Sequence, residues 1–161
     1  MLKWVGTDSR IYIRGHGDWK NQQVGDVDAF GWADKLMECG MSRARRISIC
    51  ACSAARDLES SSESRITESA NSFASKFHEY LNTKFNWKTE IYARVYTVAV
   101  SRAWESSGLG AKDTKYKKEY SHKRSNSKLR FFWNGNIQTR EFVDYIAVPD
   151  EMLAGVTVQD I

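Results

Sequence analysis

Two short apolar runs stand out in the polar first third of the chain. Arg10–Arg14 reads RIYIR and Ile47–Cys52 reads ISICAC; both are rich in isoleucine, too brief for a helix, and followed or ended by reactive side chains. Buried strands that stop at the edge of a sheet have this form. Between them Ala29, Phe30, Ala33, Leu36 and Met37 recur at helical spacing, which predicts a helix over Val27–Cys39, capped by Asp26 or Asp28 and stopped by Gly40. Strand, helix and strand in this order make a βαβ unit, whose crossover is right-handed in nearly all cases, so the two strands run parallel and end at one edge. Sites in open α/β sheets gather outside the carboxyl ends of such strands. The pattern therefore brings His16, just past the first strand, towards Cys50 and Cys52 on the second.

The remaining pattern fills out one domain over residues 1–161. Met1–Ser9 is a lead-in with Trp4 and Val5 as packing residues, and Asp18–Asp26 reads as a polar, exposed loop. Ser53–Ser64 is serine-rich and predicted to run over the site. A second helix is predicted over Glu63–Phe85, with Ile66, Ala70, Phe73, Phe77, Leu81 and Phe85 on one stripe and His78 on its surface. Glu90–Ser101 reads as a long strand. Arg102–Ser127 is a polar, basic excursion, and Lys128–Trp133 and Asn136–Phe142 flank Asn134-Gly135 as a β-hairpin. Pro149 is predicted to start a last helical turn. No internal repeat is present.

Composition narrows the function classes. No apolar run reaches the roughly 18 residues of a membrane span, and the N-terminus lacks the pattern of a signal peptide. The expectation is a soluble protein, cytoplasmic or delivered into a host cell by a route that needs no signal peptide. Three cysteines are an odd count, and Cys50 and Cys52, two apart on a strand, are not expected to pair with each other. Free thiols and a reducing compartment follow. The cysteines and His16, His78 and His122 show no zinc-ligand spacing, so no metal is expected. The net charge of +4 is local: Lys112–Arg130 carries +6 and the rest of the chain −2.

A thiol and an imidazole at adjoining strand ends suit covalent catalysis. The thiolate attacks a carbonyl carbon, and the imidazole takes the thiol proton and later protonates the leaving amine. Backbone N–H groups of Gly17 and of the nucleophile are placed to bind the oxyanion. On residue type alone either Cys50 or Cys52 fills the role, and burial as small apolar residues is the plain alternative for both.

At this point the residues resemble a family. An apolar strand ending in His-Gly (Ile11-Tyr12-Ile13-Arg14-Gly15-His16-Gly17), followed after a helix by one ending in Ala-Cys (Ile47-Ser48-Ile49-Cys50-Ala51-Cys52-Ser53), resembles the caspase-like cysteine peptidases of clan CD. These include caspases, gingipains, clostripain, separase and the cysteine protease domains of large bacterial toxins, the last being the most similar. The resemblance implies a small caspase-like three-layer α/β fold with a mostly parallel sheet and a C-terminal β-hairpin. It implies His16 as catalytic histidine, Cys52 as nucleophile, Gly17 as oxyanion donor, and a protein or peptide substrate. In the toxin domains a basic surface binds inositol hexakisphosphate as activator, which makes Lys117, Lys118, Lys123 and Arg124 a candidate anion site here; no other cofactor is expected.

The basic segment has plainer readings. It is a solvated loop, or, with Tyr116, Tyr120, Phe131, Phe132 and Trp133 among its cations, a nucleic-acid or polyphosphate surface. Another thiol acyl transfer, by an amidase or deamidase, is the third functional alternative.

Overall fold

The computed structural model describes residues 5–41, 43–58, 71–95, 98–100, 119–121 and 128–143. The first strand, β1, is Arg10–Arg14. Three two-residue strands come next: β2 (Gly17–Asp18), β3 (Gln23–Val24) and β4 (Val27–Asp28). They pair antiparallel in the order β2-β3-β4, so the segment expected to be an exposed polar loop is a small meander. The burial of Val24 and the turn chemistry of Asp18, whose carboxylate accepts from the backbone of Lys20 and Asn21 at 3.0 Å, account for the order.

Helix α1 (Ala29–Glu38) starts behind Asp28, whose side chain accepts from the Gly31 N–H at 2.7 Å and so satisfies one of the helix's orphan donors. It buries Ala29, Ala33 and Leu36 and leaves Phe30 and Met37 outside. Strand β5 is Arg46–Cys50. Helix α2 (Phe73–Phe85) is shorter at its start than the predicted Glu63–Phe85. Ser72 and Ser75 form a reciprocal capping box that ends the helix at that point, and residues 63–70 of the prediction lie outside the described residues. Asn86 closes the other end in the left-handed conformation (φ 57°).

The predicted strand from Glu90 is two: β6 (Glu90–Arg94) and β7 (Val98–Val100), the latter paired with β8 (Glu119–Ser121) in a separate ribbon. The C-terminal hairpin is β9 (Lys128–Asn134) and β10 (Ile137–Phe142). Asn134 pairs with Ile137, so the turn residues are Gly135 and Asn136, one position later than the Asn-Gly signal suggests. Gly135 takes φ 61° and Asn136 stays at negative φ, as in the hairpin turn that needs glycine first. The predicted helical turn at Pro149 lies outside the described residues.

The main sheet has the order β1-β5-β6-β9-β10; its first three strands are parallel and β9 and β10 antiparallel, a mixed α/β fold with a C-terminal hairpin as the sequence indicates. Steps from β1 to β5 and from β5 to β6 go the same way across the sheet. Right-handed crossovers in one direction put both helices on one face, and α1 and α2 do pack together there. The core is that face: Ile13, Ile47, Ile49, Ile91, Ala93, Leu129 and Phe131 meet Ala33, Leu36, Phe73, Phe77 and Leu81. Each fully buried Phe or Leu contributes about 1.5–3 kcal/mol.

His78 belongs to this core and not to the helix surface. It is fully buried, stacks on Trp133 with ring centroids 4.9 Å apart, and its Nδ1 lies 2.9 Å from Gln138 Nε2. The amide donates, so the proton of the neutral ring sits on Nε2. Burial drives its pKa down from 6.5 to about 4, against a smaller opposing effect of the Thr89 backbone.

Candidate active site

The site grows from the parallel pairing of β1 with β5. Ile11 pairs with Ile47, Ile13 with Ile49 and Arg14 with Cys50. Two residues beyond that last pair come His16 on one chain segment and Cys52 on the other, at the same edge of the sheet. The two strands lead into different structures. After β1 the chain turns into the small meander, and after β5 it enters a buried turn, Ala51–Ala55.

The two segments touch directly at Gly17. A Cβ built there would lie 1.9 Å from the Cys52 carbonyl oxygen and 2.8 Å from its backbone N and C. Only glycine lets the backbones come this close. His16 is therefore the residue next to the one that touches Cys52. His16 is exposed and its carbonyl accepts from the Gly25 N–H at 2.8 Å, which fixes its backbone to the meander. Cys52 is 7% exposed in the turn past the strand, while Cys50 is half-buried at the end of β5, on the face away from the helices. The backbone segments that carry His16, Gly17 and Cys52 thus come together at Gly17.

The turn after Cys52 is held from several sides. Ser53 adopts φ 52°, a left-handed conformation that costs a non-glycine residue about 1–2 kcal/mol. The Ala55 N–H donates to the Arg94 carbonyl at the end of β6 (2.8 Å), the Ala74 N–H of α2 to the Ala54 carbonyl (2.9 Å), and the Arg56 N–H to the Ser53 carbonyl (2.9 Å). Asp57, fully buried, accepts from the Asn71 N–H at 3.0 Å. The residues from Ser53 to Leu58 are thus mostly a packed support under Cys52 and not a loop over it; Glu59–Ser64 lie outside the described residues.

A further contact joins the two segments beyond Gly17. Gln22 Nε2 donates to the Trp19 carbonyl at 2.6 Å and lies 3.3 Å from the Arg56 carbonyl, and the Arg56 guanidinium lies 4.0 Å from the Trp19 ring centre. No sequence signal pointed to Gln22, since a glutamine in a polar stretch reads as solvated.

The face of the main sheet away from the helices is a second chemical surface. Strand alternation places Arg10, Tyr12, Arg14, Arg46, Glu90, Tyr92, Arg94, Lys128, Arg130, Phe132 and Glu141 on the side away from the helices. Arg46 and Lys128 lie over the Tyr92 ring at 4.4 and 5.6 Å, and Arg130 over Phe132 at 4.5 Å. Glu90 binds both Arg46 and Arg130. Burial raises its pKa, but hydrogen bonds from Arg130 and Tyr92 and the two guanidinium charges outweigh that and hold it below the usual value. The candidate anion residues Lys117, Lys118, Lys123 and Arg124 lie outside the described residues, as does His122.

Among the described residues no cluster of three or more His, Cys, Asp or Glu could hold a metal ion, and no helix is long and apolar enough to cross a membrane. The model of the Peptidase C80 family matches residues 5–108, a span that contains β1, α1, β5, α2 and β6 and so both strand ends of the site. No curated protein and no solved structure matches the chain.

Proposed function

The chain belongs to the Peptidase C80 family, a cysteine peptidase family of bacterial toxins, and is a cysteine peptidase acting on protein substrates; from that premise we propose that it cleaves internal peptide bonds through a Cys52–His16 dyad. The observation that supports the assignment is the packing of Gly17 on the Cys52 backbone, which brings the segments that carry His16 and Cys52 into contact. His16 accepts the Cys52 proton. The thiolate adds to the scissile carbonyl, and the Gly17 and Cys52 N–H groups receive the oxyanion. His16 then protonates the leaving amine, and water hydrolyses the thioester with the same imidazole as base. Cys52→Ala and His16→Ala each abolish cleavage of a peptide library while leaving the circular dichroism spectrum unchanged. Cleavage retained by Cys52→Ala refutes the dyad. The same reading places the protein as a toxin-derived or effector protease that works in a reducing compartment, where Cys52 stays a thiol.

A polyanion, with inositol hexakisphosphate as the candidate activator, is proposed for the sheet face away from the helices together with the basic segment from Lys112. The supporting observation is the density of cations at the exposed and half-buried positions there, Arg10, Arg14, Arg46, Lys128 and Arg130 against Glu90 and Glu141. Calorimetric titration with inositol hexakisphosphate tests it. Binding weakens steeply as salt is raised and falls on Arg10→Ala; heat changes indifferent to both refute the site.

A further inference from the structure

We propose that Gln22 is a positioning residue that locks the His16 segment onto the Cys52 segment; the proposal rests on the Cys52–His16 reading. His16 is exposed and sits in a turn, so its own packing does not fix it against the thiol. The meander after it does, and it is tied to the far segment through Gln22 and the Trp19–Arg56 stack. Gln22 is 7% exposed. Its Nε2 bridges the two segments, 2.6 Å from the Trp19 carbonyl on the histidine side and 3.3 Å from the Arg56 carbonyl on the cysteine side. Trp19 and Arg56, the residues that supply those carbonyls, also stack guanidinium on indole at 4.0 Å. The bridge and the stack form one clamp, two residues past Gly17 at Trp19 and four past Cys52 at Arg56.

Two features show that this position is shaped for the clamp. The Gln22 backbone holds φ 55°, a conformation that a glycine or asparagine takes at lower cost and that turns the side chain inward. Its Oε1 is buried without a hydrogen-bond partner among the described residues, a cost of about 1–3 kcal/mol that a residue serving stability alone has no reason to carry. The near end of the same segment is equally fixed: the His16 carbonyl is bonded to Gly25, and the Trp32 indole N–H donates to the Val24 carbonyl at 2.7 Å, tying β3 to α1. His16 is thus held between α1 on one side and, through Gln22, the Cys52 turn on the other.

The test reads thiol reactivity and needs no known substrate. Iodoacetamide labelling at neutral pH is followed by mass mapping, with exposed Cys39 as the internal reference rate. The variants are Gln22→Met, which keeps the volume and loses the donor; Gln22→Gly, which suits φ 55° and loses the side chain; and Trp19→Ala with Trp19→Phe as its conservative partner. His16→Ala sets the scale and lowers the Cys52 to Cys39 ratio by about tenfold, since the thiolate is the reactive form. Gln22→Met and Gln22→Gly lower it about three- to tenfold, because misplacement of a catalytic group is expensive at the ångström scale. Trp19→Ala lowers it and Trp19→Phe restores it.

The direction of change separates positioning from loosening. A turn that merely opens exposes Cys52 and raises its labelling, so a rise in any Gln22 variant overturns the proposal. A ratio unchanged in both Gln22 variants while His16→Ala slows Cys52 also overturns it. Wild-type labelling in His16→Ala itself overturns the dyad instead.

Discussion

Gly17→Ala perturbs the site at its tightest point. The new Cβ would sit 1.9 Å from the Cys52 carbonyl oxygen, whereas C···O contacts become comfortable only at about 3.3 Å. The histidine and cysteine segments must therefore separate by about 1.4 Å, and each is anchored: one through the His16–Gly25 bond, the other through Ala55 to Arg94 and Ala54 to Ala74. Neither can yield by rotating a side chain, because the obstructing atoms are backbone. Overpacking of this kind costs about 1–3 kcal/mol of stability. Displacement of a dyad by an ångström costs about a hundredfold in rate. The assay is peptide cleavage together with denaturant unfolding of Gly17→Ala against wild type. A loss of roughly a hundredfold in kcat with a stability loss of about 1–3 kcal/mol is expected. A variant with wild-type kcat and an unmoved unfolding midpoint refutes the claim that the two segments meet at Gly17, and with it the argument for His16.

Two further predictions concern the scaffold. The unfolded chain takes up a proton at His78 near its ordinary pKa of 6.5, while the folded protein resists until about 4, so stability falls as pH drops through this window and is present in full above it. The loss between pH 7 and pH 5 is about 2 kcal/mol from this residue, and denaturant titrations at the two pH values should show that difference shrink in His78→Phe. Phe77, fully buried where α2 meets the sheet, should cost about 3–5 kcal/mol on truncation to alanine; an unfolding free energy within about 1 kcal/mol of wild type would contradict its place in the core.

The meeting of the strand ends that lead to His16 and Cys52 was legible because it depends on little more than chirality. Two apolar runs around an amphipathic helix leave one favoured arrangement, and the register Arg14 to Cys50 follows from burying Ile11, Ile13, Ile47 and Ile49 on one face. Details that depend on distant partners were not legible. His78 looks like a surface residue when only the helical stripe is considered; its burial comes from Trp133 and Gln138, some 55–60 positions later. The Asn134-Gly135 signal located the hairpin but not its turn, because glycine was needed at the first turn position and only the cross-strand register of Phe131 and Ile91 sets which residue that is. The meander was hidden by composition: its residues are polar, and its order comes from the Asp18 turn, Val24 and the bond from Trp32.

The direction of the chain across the sheet links the two surfaces of the molecule. Because both crossovers step the same way, both helices cover the Ile47–Ile49 face, and the opposite face keeps its charged and aromatic side chains. Strand alternation then makes every second residue of β1, β5 and β6 part of that face up to the very edge where the site begins, at Arg14, Cys50 and Arg94. Arg14 is two residues before His16, Cys50 two before Cys52, and the Arg94 carbonyl receives the Ala55 N–H that supports the cysteine turn. A change in the tilt of these three strands cannot leave the spacing of His16 and Cys52 untouched. Gln22 opposes such a change from the other side, since its two carbonyl partners lie on the segments that would separate. The geometry of the proposed dyad thereby rests on two independent constraints, the sheet beneath and the proposed clamp above. Removing the clamp should make the dyad more sensitive to whatever occupies the basic face, so that a polyanion changes Cys52 labelling more in Gln22→Met than in wild type.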